Sequence, residues 1–161
     1  MRNYPVQGDD LAMEIVGGAC RFGLWFVHVW WNGTTVHRIR FAVTGIPGEV
    51  PGLIQHYCAG HVVSLKGLDS IALHDKTVYS RIYRAVQQVP YGSTSTYGEI
   101  ADRVGTAPRV VGQAMARNPT PLIVPCHRIL AAHGIGGFSP SVDIKEALLA
   151  MEKKGLRRKK K

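Results

Sequence analysis

The apolar pattern changes period partway along the chain. In the first half, "RFGLWFVHVWW" (Arg21 to Trp31) is dense in aromatic and β-branched residues, and "TTVHRIRFAV" (Thr34 to Val43) alternates Val36, Arg38 and Arg40 against His37, Ile39 and Phe41. Such runs predict strands. Asn32-Gly33 between them predicts a type I′ hairpin turn, since both residues tolerate positive φ. "PGEVPGLIQHYCAG" (Pro47 to Gly60) reads as turns followed by a short helix. From residue 75 the spacing becomes helical. "DKTVYSRIYRAVQQV" offers Asp75 as N-cap and Val78, Ile82, Ala85, Val86 and Val89 as an apolar face. A second helix is expected from about Thr96 to Val104, stopped by Gly105, and a third from Pro108 to Arg117, ended by Asn118-Pro119. Two short helices with a glycine between them form a helix-turn-helix pattern. No internal repeat is visible, and the basic tail is the one low-complexity tract.

A chain of 161 residues with 45% apolar content can build one good core or two small ones, and 19% charge argues against extensive disorder. No apolar run approaches the roughly 20 residues of a membrane helix, so no membrane partner is expected. The start lacks the apolar stretch of a secretory signal, which leads us to expect a cytoplasmic location, nucleoid-associated, or nuclear in a eukaryote. Cys20, Cys58 and Cys126 are odd in number and widely spaced, which suits free thiols better than a disulfide framework.

Net charge is +9, and its placement is informative. Residues 1–76 carry six basic and six acidic groups, whereas residues 77–161 carry fourteen basic and five acidic ones. Part of the excess is the tail "KKGLRRKKK", which reads as a solvated, frayed terminus, but the rest of this half is still positive. A basic half points to a polyanion, most simply nucleic acid. The third helix agrees with this. Gly112, Ala114 and Ala116 allow close approach to another surface, and Arg109 and Arg117 stand at its ends. Tight helix packing explains the small residues equally well; the basic setting favours a DNA groove.

"NPTPLIVPCHRILAA" (Asn118 to Ala132) places Cys126, His127 and Arg128 inside an apolar run. A lone cysteine there reads as a small buried apolar residue. Three adjacent polar groups need partners or a cavity.

"VPYGSTSTYGEIA", "RVVGQAMARNP", "LIVPCHRIL" and "GGFS…IKEALLAME", in this order, resemble the O6-alkylguanine-DNA alkyltransferases, also called methylated-DNA–protein-cysteine methyltransferases. The resemblance covers about residues 76 to 152. It implies a small α/β, ribonuclease-H-like N-terminal domain (1–74), a mainly α domain with a winged-helix-like helix-turn-helix (75–154), and a basic tail (155–161). It also implies single-turnover transfer of an alkyl group from O6-alkylguanine, and by extension O4-alkylthymine, to Cys126 without a cofactor. The implied partner is double-stranded DNA carrying alkylated bases, met by a monomer. In this scheme His127 is the base that acts through a water, and Glu146 holds its tautomer. Tyr97 serves the base and the rotated 3′ phosphate, Ser139 serves O6, and the Val124 carbonyl reads the exocyclic amine. Arg109 fills the stack vacated by the flipped nucleotide, and Asn118 ties the recognition helix to the active-site segment. Tyr79, Gly98, Thr106 and Ala132 align with backbone-contacting positions, and Gly112 lies on the recognition helix.

The chain departs from the family pattern where Phe138-Ser139 is followed by Pro140-Ser141 rather than Gly-Gly, and the stretch from Cys126 to Phe138 is about a residue short. Other readings are a Cys-His hydrolase, whose sequence signatures are missing, and a non-enzymatic helix-turn-helix or lesion-flagging protein. Relatives that only flag lesions have replaced the cysteine. Cys20, His28, His56, Cys58 and His61 form a further candidate set for structural zinc, but "HYCAGH" lacks a standard zinc spacing.

Overall fold

The computed structural model describes residues 14–160. Its first aromatic-rich run is broken at Gly23, which has a φ of +58° and turns the chain between β1 (Val16–Phe22) and β2 (Trp25–Asn32). The next hairpin repeats the device. Gly33, again at +58°, and Thr34 lead into β3 (Thr35–Ala42), with Asn32 paired to Thr35. The loop is therefore Gly33-Thr34 rather than Asn32-Gly33. Positive φ at the first loop position alone is the type II′ pattern, which needs glycine only there and leaves Asn32 to close the strand.

The alternation expected for β3 is interrupted as well. Trp30 pairs with Arg38 but Trp31 with Val36, so His37 is an extra residue. The bulge returns Val36 to the buried face of Ile39 and Phe41, away from the exposed Arg38 and Arg40. β4 (Asp69–Ser70) joins parallel to β3, giving a small mixed sheet in the order β1-β2-β3-β4.

Two apolar cores result. The inner sheet face (Val27, Val29, Val36, Ile39) packs on Ile54 and Tyr57 of α1 (Gly52–Cys58) and on Ile144 and Leu148 of the final helix, α5 (Val142–Lys159). The second core lies among α2 (Val78–Gln87), α3 (Tyr97–Val104) and α4 (Pro108–Ala116), centred on Ile82, Val86, Ile100, Val111 and Ala114. Burying each large aliphatic side chain contributes about 1.5–3 kcal/mol. The run from Asn118 to Leu130 joins the cores: Leu122 and Ile123 belong to the first, Val124 and Ile129 to the second. It is pinned to the sheet where the Ile39 amide donates to the Pro119 carbonyl at 2.9 Å.

Local signals set the helix ends. Thr96 and Glu99 form a reciprocal capping box on α3, and Gly105 ends that helix in the left-handed region. The α2 N-cap is Thr77, whose hydroxyl accepts from the Ser80 amide, rather than Asp75. Asp75 instead accepts from the Thr77 amide and hydroxyl. The basic tail is also more ordered than expected. α5 runs through Lys159, Gly155 is buried, and Arg158 donates to the Gly60 carbonyl at 2.9 Å. Arg157, Arg158 and Lys159 complement the negative end of the helix dipole. Among the described residues, no helix is long and apolar enough to cross a membrane.

Candidate active site

Cys126, His127 and Arg128 form a single 3-10 turn after Pro125, and all three are buried. A short parallel pair follows, β5 (Ser95–Thr96) with β6 (Ile129–Leu130), which brings the α3 N-terminus, and with it Tyr97, alongside the cysteine turn. Cys126 is at the floor of a cleft of about 450 Å³ lined by Tyr97, Gly112, Ala116, Asn118, Gly137, Phe138 and Ser139. Burial raises the thiol pKa, opposed by a hydrogen bond with Asn118 and by the charge of Lys145. At neutral pH the sulfur is a thiol that needs a base.

The candidate base is the adjacent residue. The fully buried His127 places Nε2 2.7 Å from Glu152 Oε2. Burial lowers the imidazole pKa, against the pull of Glu152, so His127 is neutral. Glu152 Oε2 also accepts from Tyr57 Oη at 2.5 Å and from Arg128 Nη2 at 2.9 Å, while Oε1 accepts from the Gly92 amide at 2.9 Å and from Arg128 Nε at 3.0 Å. Burial works to raise the Glu152 pKa, but the hydrogen bonds from His127 and Arg128 and the charge of Arg128 outweigh it and hold the carboxyl well below the usual range. A carboxylate facing Nε2 puts the imidazole proton there and leaves Nδ1 bare. Nδ1 is buried with no hydrogen-bond partner among the described residues, in keeping with a proton acceptor.

The carboxylate on His127 is thus Glu152 and not Glu146, which is exposed on α5. Helical geometry explains the correction. At about 100° per residue, Glu146 points away from the buried Ile144, whereas Glu152 continues the buried row of Ile144 and Leu148. Lys145 lies two turns before Glu152 on nearly the same face, a residue that motif reading missed. Its fully buried ammonium donates to the carbonyls of Ile129 (2.7 Å) and Gly137 (3.1 Å), tying the far lip of the cleft to the cysteine segment.

Asn118 Nδ2 donates to the Val124 carbonyl at 2.9 Å, and its Oδ1 accepts from the Thr120 amide at 3.0 Å. The expectation for Val124 is not met. Its carbonyl already accepts from Asn118 and from the Cys126 amide at 2.7 Å, and the residue is buried outside the cleft lining, so no lone pair remains for a base. Tyr97, its pKa raised by burial, presents a neutral phenol to the cleft, and Ser139 is exposed at the rim. Phe138 is anchored against Phe41 of the sheet at 5.7 Å between ring centroids.

α4 divides its residues between two surroundings. Val111 and Ala114 face the helical core, whereas Arg109 is exposed and Gly112 lines the cleft with open space beyond its Cα. Arg117 donates to Tyr79 Oη at 3.3 Å. Gly98 is the second residue of α3, Thr106 lies just past its end, and Ala132 is exposed on the loop after β6. In the first half, the Cys20 and Cys58 thiols hydrogen-bond each other, His28 Nε2 meets the Thr44 carbonyl at 2.7 Å, and the His56 and His61 rings lie 5.5 Å apart. Among the described residues, no three His, Cys, Asp or Glu side chains gather as a metal site.

A buried thiol next in sequence to a histidine–carboxylate couple thus opens into a cleft beside a small-residue helix, in the basic half of the chain. Residues 77–154 match the family model "6-O-methylguanine DNA methyltransferase, DNA binding domain". It is 49% identical over 71 residues to the methylated-DNA–protein-cysteine methyltransferase of Saccharolobus islandicus, covering 44% of this chain and 47% of the relative. The chain thus aligns with about half the length of the curated relatives it matches. The fold as a whole is similar to that of Mycobacterium tuberculosis O6-methylguanine methyltransferase, with a TM-score of 0.68 and 27% identity over 88% of this chain and 94% of that one. A crystal structure of the M. tuberculosis protein in complex with DNA matches at a TM-score of 0.68 and 28% identity, over 85% and 92% of the two chains.

Proposed function

We propose that this protein repairs alkylated DNA by moving the alkyl group from guanine O6 to its own Cys126, once per molecule. The observation that carries this reading is Cys126 on the floor of an open cleft beside a neutral His127 whose bare Nδ1 is directed by Glu152. The Cys126 proton passes through a water to Nδ1, sulfur attacks the alkyl carbon, the C–O6 bond breaks, and the electron pair leaves with guanine. The phenol of Tyr97 and the hydroxyl of Ser139 meet the charge on the departing base. The resulting thioether has no group in the site able to cleave it. A protein that only flags lesions has no use for this thiol.

In this reading α3 and α4 act as a winged-helix-like pair behind a ribonuclease-H-like N-terminal half. α4 lies against double-stranded DNA, Gly112 and Ala116 allow close approach, and Arg109 enters the stack when the damaged nucleotide flips out. Flipping costs a few kcal/mol, less for a damaged pair. Tyr79, Gly98, Thr106 and Ala132 border the same surface and contact the phosphate backbone. A monomer suffices, because every group in the scheme comes from one chain.

The test is incubation with duplex DNA carrying labelled O6-methylguanine. Label on the protein should plateau near one equivalent and map to Cys126, and Cys126→Ser should bind DNA without accepting label. Repeated turnover, or label on Cys20 or Cys58, overturns the mechanism.

A further inference from the structure

The mechanism above gives no role to Tyr57, a buried polar group that reaches the base from the other half of the chain. Tyr57, on α1 of the N-terminal half, is fully buried with its hydroxyl inside the site, 2.5 Å from Glu152 Oε2 and 3.2 Å from His127 Nε2. Its ring meets those of His127 (6.4 Å) and Tyr91 (5.9 Å) at steep angles. We propose that Tyr57 is a positioning residue for His127, so that the N-terminal half takes part in tuning the base as well as supporting the fold. The inference rests on the alkyl-transfer reading and deepens it.

The protons in the cluster fix the tautomer. A phenol has one to donate, and the shorter contact sends it to Glu152. The Tyr57 oxygen can then only accept from His127, as can the carboxylate. Both neighbours of Nε2 therefore require a proton on that nitrogen, and the bare lone pair is left on Nδ1. Burial and the nearby carboxylate push the Tyr57 pKa far up, so the phenol keeps its proton. The charged and titratable groups around the pair are Glu152 and Lys145 from α5, Arg128 and Cys126 from the turn, Tyr91 before α3, and Tyr57 and Cys58 from α1. Of these, Tyr57 alone contacts both His127 Nε2 and the Glu152 oxygen that faces it. Its donation also draws charge from Oε2. Without it Glu152 would attract the Nε2 proton more strongly, the imidazolium would be favoured, and Nδ1 would be protonated at a higher pH.

The test uses the full chain with Tyr57→Phe, which keeps the ring and leaves Glu152 its bonds to His127 and Arg128. Label transfer from O6-methylguanine duplex is followed between about pH 5 and 9. The variant should be slower at neutral pH by roughly three- to tenfold, within what a hydrogen bond to a charged group is worth, with its acid limb moved to higher pH. Site-specific 3-fluorotyrosine at position 57, a stronger donor of nearly the same volume, should move the limb the opposite way, which loss of packing cannot do. Nitrogen NMR of the His127 ring in the same proteins should show displacements of the same sign. Rates and ring titrations that overlay those of the wild type overturn the role. A wild-type chain that transfers no label refutes the alkyl-transfer reading instead, and the ring titration still decides the question of Tyr57.

Discussion

The two glutamates of α5 have opposite surroundings. Glu152 is completely buried and accepts from His127, Tyr57, Arg128 and the Gly92 amide, whereas Glu146 is exposed. Glu152→Gln keeps the shape but removes the charge that pairs with Arg128 and turns one carboxylate oxygen into a donor facing donors. Breaking a buried pair from one side costs about 3–5 kcal/mol. Glu152→Gln should therefore lower the melting temperature and slow alkyl transfer by at least about a hundredfold, while Glu146→Gln leaves both unchanged. The comparison needs only thermal melts and single-turnover label transfer. A slow Glu146→Gln variant beside an active Glu152→Gln would reverse the assignment.

At the scale of the element, α4 is divided lengthwise. Its Val111 and Ala114 row is sealed in the helical core, whereas Gly112 and Ala116 line the cleft and Arg109 is exposed. A Cβ added at Gly112 meets nothing within 4 Å beyond its chain neighbours and the backbone of its own helix. Gly112→Leu should thus be neutral or stabilising by up to about 1 kcal/mol, since glycine is a poor helix former. The same leucine would occupy the space where α4 approaches DNA and should weaken duplex binding by about tenfold or more. Fluorescence anisotropy with undamaged duplex and a thermal melt separate the two effects. Normal affinity with early unfolding would mean that Gly112 faces the core and that α4 is not the DNA-facing helix.

For the whole molecule, one buried polar cluster links all the parts: Tyr57 from α1, His127 and Arg128 from the bridging turn, Gly92 before α3, and Glu152 from α5. Its titration should govern acid stability. Glu152 has its folded pKa held below the unfolded value, so its contribution is full above the carboxylate range and is lost as pH falls. His127 is held neutral with a pKa below the ordinary imidazole value, near 6.5, so its unfolded form takes up protons first, and stability again falls with pH. Both signs agree. The urea midpoint should drop steadily from neutral pH towards about pH 4, by on the order of 1–3 kcal/mol in stability. Because the cluster spans both cores, near- and far-UV signals should lose structure together. A midpoint flat across this range would mean that the cluster is not charged as its hydrogen bonds require.

Features whose causes lie within a few residues were legible in the sequence. Among them are the Thr96–Glu99 box, the Gly105 stop, Pro108 at the head of α4, the strand-like aromatic runs, and the Pro-Cys-His-Arg block with its family resemblance. The sequence also located Cys126 beside His127 and the basic excess in the second half. Only the tertiary structure decided the rest. The hairpin register depended on which loop position Gly33 took, and the β3 bulge on which side chains the core would accept. The order of the tail depended on its contact with Gly60. The charge on His127, the loss of the Val124 carbonyl as a reader, and the arrival of Tyr57 and Lys145 all depend on partners brought in from distant segments. Tyr57 and Glu152 are 95 residues apart in the chain and 2.5 Å apart in space. Local preferences act over a turn of helix or a hairpin. A buried hydrogen-bond network is chosen by desolvation, which each group escapes only by finding a partner, and burial is a property of the folded whole.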